Sequence, residues 1–202
     1  ISINNDSDTR EVRLNSSNDI LTYKLKLNCT NGGTAKKFSY YIPIPKKTSG
    51  TDSYMVTTLD KIFNLALQAE PIISGDDLYN IFYTTKDGLN IDNINDETIK
   101  WVTASEVEDF SKVTMIKLLQ KNDTIENGSS TIFNLKLMYE GDTFNEEAGN
   151  TIIYHSAGNY NYSVNGRETE GTFATKGVKV SLNYTKNFQD IILTAAPNRK
   201  PN

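Results

Sequence analysis

The stretch that decides the fold reads Leu21-Thr22-Tyr23-Lys24-Leu25-Lys26-Leu27-Asn28-Cys29. Apolar residues occupy every second position, and Thr, Lys and Asn stand between them. Because successive side chains of an extended chain point to opposite faces, this period of two is typical of a β-strand with one buried face. Cys29 continues the apolar face, so we expect its thiol to be buried and unreactive.

A second alternating stretch follows a turn signal. Its apolar residues are Phe38, Tyr40, Ile42 and Ile44. The residues Asn31-Gly32-Gly33 precede it, and Asn-Gly between two alternating stretches favours a β-hairpin. The sequence therefore predicts that these two strands pair with each other. Pro43 and Pro45 predict the end of the second strand, because proline cannot donate a ladder hydrogen bond.

The remainder of the chain shows further short strands separated by turn residues. The predicted strands are residues 78–85, 100–103, 113–119, 133–139, 151–155, 160–164, 178–184 and 191–194. Residues 59–69 fit a helix or a strand, and we favour a strand before Pro71. Residues 104–112 predict a short helical turn, with Ser105 as a candidate N-cap.

About ten strands at this spacing predict an all-β fold, an antiparallel β-sandwich with one short helical turn. We expect residues 1–196 to form a single sandwich module. Residues 197–202, Pro-Asn-Arg-Lys-Pro-Asn, are typical of an interdomain linker.

Composition and charge argue against several classes of function. The formal net charge is −4, with charges of both signs scattered along the chain. Nucleic-acid binding is not expected, because there is no basic stripe to contact phosphates. Membrane insertion is not expected either, because no apolar stretch approaches 18 residues. One His and one Cys cannot supply a zinc site of His and Cys ligands.

Two parts of the sequence resemble a known class of module. Residues 21–35, followed by Ile42-Pro43-Ile44-Pro45, are similar to the conserved-repeat modules of bacterial surface proteins. Residues 82–88, 101–103 and 109–117 resemble a segment of the LPXTG-type cell-surface adhesins of Gram-positive bacteria. The resemblance implies an immunoglobulin-like sandwich that is extracellular and attached to the cell wall through its parent protein. It implies no catalytic residues.

These observations give three hypotheses about function. The first is a non-catalytic stalk or adhesin module, whose partners are the neighbouring domains of the same polypeptide. The second is a ligand-binding domain that recognises a host protein or a glycan through loops at one end of the sandwich. The third and most distant is a carbohydrate-active enzyme, since glycosidases need only two carboxylates and the chain has 25 acidic residues.

No cofactor is expected, although a calcium ion is a candidate ligand. Oxygen-bearing side chains cluster in one predicted loop: Asp92, Asn95, Asp96 and Glu97. Carboxylate and amide oxygens are the ligands that Ca²⁺ prefers. The spacing does not match an EF-hand, so a solvated polar loop is the competing interpretation.

Two other candidate sites rest on residue type. An intramolecular isopeptide bond would join Lys24 of an early strand to Asn183 of a late strand. However, the alternation puts Lys24 on a polar face. A sugar-binding patch would use the rings of Tyr154, Tyr160 and Tyr162, with packing of these rings as the competing interpretation. No catalytic residue is proposed, since the single histidine, His155, has no accompanying nucleophile motif.

Overall fold

The computed structural model describes residues 2–3, 11–29, 34–48, 56–58, 61–164 and 167–183. The fold is all-β, as predicted: fourteen strands and two 3-10 turns cover the regular structure of these residues. The strands are β1 (Ser2–Ile3), β2 (Glu11–Leu14), β3 (Ile20–Asn28), β4 (Thr34–Pro43), β5 (Val56–Thr58), β6 (Leu65–Leu67), β7 (Ile72–Gly75), β8 (Tyr79–Thr84), β9 (Met115–Gln120), β10 (Ser130–Tyr139), β11 (Thr151–Tyr154), β12 (Ala157–Val164), β13 (Arg167–Ala174) and β14 (Val178–Leu182).

The strands form three sheets. Sheet one has the order β1-β3-β10-β6, and β7 also pairs with β10. Sheet two has the order β2-β14-β11-β5, and sheet three has the order β13-β12-β4-β9-β8. Among the pairings that the structure describes, β2 with β14 is parallel and the others are antiparallel.

The predicted hairpin between β3 and β4 is wrong. β3 pairs with β1 and β10 in sheet one, whereas β4 pairs with β12 and β9 in sheet three. Leu25 of β3 and Ile42 of β4 belong to the same buried cluster. The two strands therefore contribute to one core from different sheets. β4 ends at Pro43, as the sequence predicts.

One hydrophobic cluster contains buried residues from all three sheets. Its members include Leu21, Tyr23, Leu135 and Leu137 of sheet one, Val56, Ile152 and Val180 of sheet two, and Tyr40, Ile116 and Leu118 of sheet three. The alternation of β3 and β10 explains their part, because every second side chain is buried while the intervening ones face outward. Burial of this apolar surface is the main contribution to folding stability.

Sheet three is also covered on its other face. Tyr41 and Met115 alternate with Tyr40 and Ile116, and they pack with Ala157 in a second buried cluster. The cover comes from the segment after β8, whose buried members in this cluster are Leu89, Ile94 and Ile99. Trp101 packs against them, and the Lys117 ammonium lies 5.3 Å from the centre of its ring.

The predicted helical region contains two separate 3-10 turns, Ala104–Glu106 and Phe110–Lys112. The residue at the first N-cap is Thr103 rather than Ser105, and its backbone N–H donates to Glu106 Oε2 at 2.9 Å. The predicted strand at 100–103 is a single bridge between Tyr83 and Val102. Residues 191–202, with the predicted last strand and the linker, lie outside the described residues.

Candidate functional site

The first and last strands of sheet two in sequence order, β2 (residues 11–14) and β14 (residues 178–182), pair with each other. We call this pair the terminal clamp. Four residue pairs lie in parallel register, from Glu11 with Lys179 to Leu14 with Leu182. The backbone N–H of Asn183 donates to Leu14 O at 2.7 Å and extends the ladder by one bond. Two segments far apart in sequence are therefore held side by side and run in the same direction.

The clamp is anchored by side chains that enter the main core. Leu14 is 2% exposed, and Val178, Val180 and Leu182 are at most 1% exposed. All four belong to the hydrophobic cluster shared by the three sheets. Separating β2 from β14 would expose part of this cluster to water, so the backbone ladder and the packing resist separation together.

Polar contacts hold the two ends of the clamp at the surface. At one end, Lys179 Nζ donates to Glu11 Oε1 at 3.0 Å, and the hydrogen bond and charge of Lys179 lower the pKa of Glu11 below its usual value of 4.5. At the other end, Asn183 Nδ2 donates to Asn15 Oδ1 at 2.8 Å. Both pairs are solvent-exposed and contribute less than the buried residues.

The sequence predicts only one of the two strands of the terminal clamp. Val178, Val180 and Leu182 alternate clearly, and β14 was predicted. Val12 and Leu14 also alternate, but four residues are too few for a reliable signal. The parallel pairing of β2 with β14 has no local signature, since residue periodicity reports which face is buried and not which strand lies next to it.

The candidate calcium ligands lie in the segment that covers sheet three. Asp92, Asn95, Asp96 and Glu97 are all exposed. Asp96 Oδ1 accepts a hydrogen bond from Thr98 N at 2.8 Å, and this bond lowers the pKa of Asp96. Within the described ranges, no three His, Cys, Asp or Glu side chains converge as a set of metal ligands. The geometry therefore adds no support to the calcium hypothesis.

The two residues of the candidate isopeptide bond lie in different sheets. Lys24 is in β3 of sheet one, opposite Asn134 of β10, and lines a shallow groove with Ile72 and Ile132. Asn183 follows β14 of sheet two and is exposed, with its amide bonded to Asn15. The structure does not bring Lys24 and Asn183 together in a dry core, which such a bond would need.

The three tyrosines of the candidate sugar patch also belong to two sheets. Tyr154 is in β11 of sheet two, whereas Tyr160 and Tyr162 are in β12 of sheet three. The pairing of β12 with β4 shifts register between Asn159 and Asn161, around Tyr160. The side chains of these tyrosines lie outside the described residues, so the patch stays a prediction.

The two side chains with the greatest intrinsic reactivity have structural contacts. His155 Nδ1 lies 2.8 Å from Thr175 O, where it forms a hydrogen bond. Cys29 is half-buried rather than fully buried, and its Sγ lies 3.6 Å from Ile125 O. Both contacts fit roles in packing, and neither places a nucleophile beside a base.

The described residues contain no helix with the length and apolar character needed to span a bilayer.

Comparisons with known proteins do not identify a family for this chain. No protein-family model matches the chain, and no curated protein sequence matches it.

Proposed function

We propose that this chain is a non-catalytic structural module of a bacterial cell-surface protein, in which it carries tension between neighbouring domains. In this proposal the parent protein is extracellular and attached to the cell wall, and the module holds a binding domain away from the wall. The setting is supported by the resemblance to surface-protein modules of residues 21–35, 42–45, 82–88, 101–103 and 109–117. The terminal clamp supports the mechanical role.

The single observation that carries the proposal is the parallel direction of the clamp. Tension from the preceding chain pulls β2 at the Glu11 end, and tension from the following chain pulls β14 at the Leu182 end. Because the strands are parallel, these are opposite ends of the pair. The force therefore acts along the strands and loads the ladder bonds together, in shear. An antiparallel hairpin pulled at its open end would instead lose its bonds one at a time.

The shorter strand β1 does not change this geometry. Ser2 and Ile3 pair with Lys24 and Tyr23 over two residues, so this ladder is shorter than that of the clamp. We expect tension to release β1 first and then to load β2. The clamp is consequently the main mechanical barrier between the two ends of the described chain.

Force spectroscopy on a tandem array of the full chain tests the proposal. We expect the wild-type module to unfold in one step at a force several times that of an unzipped hairpin. Leu14→Ala should lower this force markedly, because it weakens the buried anchor of β2. Its matched control is Leu89→Ala, which truncates a buried leucine of the second cluster, and this cluster contains no residue of the clamp.

Both substitutions should reduce the equilibrium free energy of unfolding by about 2–5 kcal/mol, as is usual for buried Leu→Ala changes. The comparison therefore separates mechanical strength from thermodynamic stability. Equal losses of unfolding force in the two variants, or a low force for the wild-type module, would contradict the tension-bearing role.

A further inference from the structure

The burial of β3 changes along its length. On its inner face, Tyr23 and Leu25 are at most 1% exposed, whereas Leu27 and Cys29 on the same face are only half-buried. The change comes just after the pairing with β1, which involves Tyr23 and Lys24. Among the described residues, the last part of β3 therefore has a neighbouring strand, β10, on only one of its two edges.

The backbone groups on the other edge are available for pairing. Cys29 N donates to Ser129 O at 3.0 Å, and Cys29 O accepts from Gly128 N at 2.6 Å, so both groups of Cys29 face β10. Because the direction of these groups alternates along an antiparallel strand, the N–H and C=O of Lys26 and Asn28 face the opposite edge. Unpaired backbone groups at a sheet edge are a template for another strand.

This edge of β3 borders an opening between sheets one and three, which we call the seam cleft. Its apolar lining includes Leu27 and Cys29 of β3, Phe38 of β4 and Phe173 of β13, and all four are half-buried. The rings of Phe38 and Phe173 have centroids 5.8 Å apart. The volume of the cleft is about 440 Å³. Since one water occupies only about 30 Å³, the cleft has room for side chains of a partner.

The rim of the seam cleft is positively charged. Lys26 and Lys176 are exposed and border the opening, and the described residues that line it include no Asp or Glu. In an antiparallel pair, the side chains of directly opposite residues share one face of the sheet. A strand paired with β3 would therefore place one side chain beside the Lys26 ammonium, and an acidic side chain fits this position best.

We propose that β3 binds an extended segment of another polypeptide as an additional antiparallel strand, running in the same direction as β1. The backbone of the segment exchanges hydrogen bonds with Lys26 and Asn28. Its side chains opposite Leu27 and Cys29 are apolar and enter the seam cleft, and its residue opposite Lys26 is acidic. This mode of recognition is β-strand addition. It does not depend on the tension-bearing role, and either can fail without the other.

Titration of the full chain with the peptide acetyl-Thr-Val-Thr-Val-Glu-amide tests the proposal. In the proposed register its Glu lies opposite Lys26, its second Thr opposite Asn28, and its two Val residues enter the cleft. We expect saturable changes in the amide NMR spectrum. The amide protons of Lys26 and Asn28 should become protected from hydrogen exchange on binding. The Leu27 amide faces β10 and serves as the internal control, because its protection should not depend on the peptide.

N-methylation of the peptide separates strand pairing from general apolar attraction. A methyl group on the nitrogen of the Glu or of the second Thr blocks an N–H that faces β3, so affinity should fall by at least about tenfold. The matched control is N-methylation of the Val between them, whose N–H faces away from β3. That peptide should retain its affinity to within about twofold.

A charge exchange tests the register. Lys26→Glu should weaken binding of the Glu peptide by up to about fivefold, and the variant should prefer a peptide with Lys in place of Glu. The proposal is overturned by absence of saturable binding or by equal effects of the N-methylated peptides. It is also overturned by protection of the Lys26 and Asn28 amides in the free protein, because the chain itself would then already cover this edge.

Discussion

The terminal clamp and the β12–β13 hairpin are both strand pairs that include the edge strand of a sheet. They differ in the length of the ladder and in the burial of their side chains. The hairpin is longer, with eight residue pairs between Ala157–Val164 and Arg167–Ala174. Its edge strand β13 has no fully buried residue. The clamp has only four pairs, but its edge strand β2 buries Leu14, and the neighbouring strand β14 buries Val178, Val180 and Leu182. We therefore expect buried side chains, rather than ladder length, to determine which edge is hard to open.

The largest expected effect is the difference in free energy of unfolding between one substitution in the clamp and one in the hairpin. Leu182→Ala in the clamp should lower the free energy of unfolding by about 2–5 kcal/mol, because it leaves a cavity in the main core. Thr172→Ala on the exposed side of β13 should change it by no more than about 0.5 kcal/mol. Urea denaturation at constant pH measures both values. Similar losses in the two variants would show that burial does not distinguish these edges.

A smaller effect is expected where the hairpin packs most closely. A methyl group added at Gly158 of β12 would come within 2.8 Å of the Phe173 ring and of Ser39 O. The ring can move, but the β4 carbonyl is fixed by the sheet. Gly158→Ala should therefore destabilise the protein by about 1–3 kcal/mol, as overpacking usually does. The same urea titration provides the measurement, with Thr172→Ala as the control on the same hairpin. An unchanged midpoint would mean that the hairpin accommodates the methyl group.

The sequence predicted strands well where one face is buried. β10 shows this clearly, since Phe133, Leu135 and Leu137 are buried and the residues between them are not. The sequence predicts no strand at β13, because its residues Arg-Glu-Thr-Glu-Gly-Thr-Phe-Ala show almost no apolar alternation. The inner side chains of this edge strand are only half-buried, and of these Phe173 alone is a large apolar residue, so the strand has no periodic apolar pattern that the sequence could show.

The sequence could not predict which strands are neighbours. The Asn31-Gly32-Gly33 signal favoured pairing of β3 with β4, but each strand has other partners. The segment that covers sheet three was also missed, because Leu89, Ile94 and Ile99 recur every five residues. That spacing fits neither a helix nor a strand, and the polar composition of residues 90–98 predicts only a loop. The clamp depends on such long-range packing.

The smallest expected effect concerns the exposed ion pair at one end of the clamp. Lys179 lowers the pKa of Glu11, so the folded state binds a proton at Glu11 less readily than the unfolded state. The stabilisation by the pair is therefore complete above the usual Glu pKa of 4.5, and it is lost as the pH falls through the lower pKa of the folded state. Glu11→Gln should remove this contribution and leave the buried anchors intact.

We expect wild type and Glu11→Gln to differ slightly in unfolding free energy at pH 6, and the difference to shrink as the pH falls below the usual Glu pKa of 4.5. Other carboxylates with lowered pKa, such as Asp96 and Asp109, affect both proteins equally and cancel in the difference. High salt at pH 6 should also reduce the difference, because exposed charges are screened. A difference in unfolding free energy that did not shrink as the pH fell would have to come from a contact other than the ion pair. A large difference at pH 6 would mean that surface charge, and not only the buried anchor, holds β2 against β14.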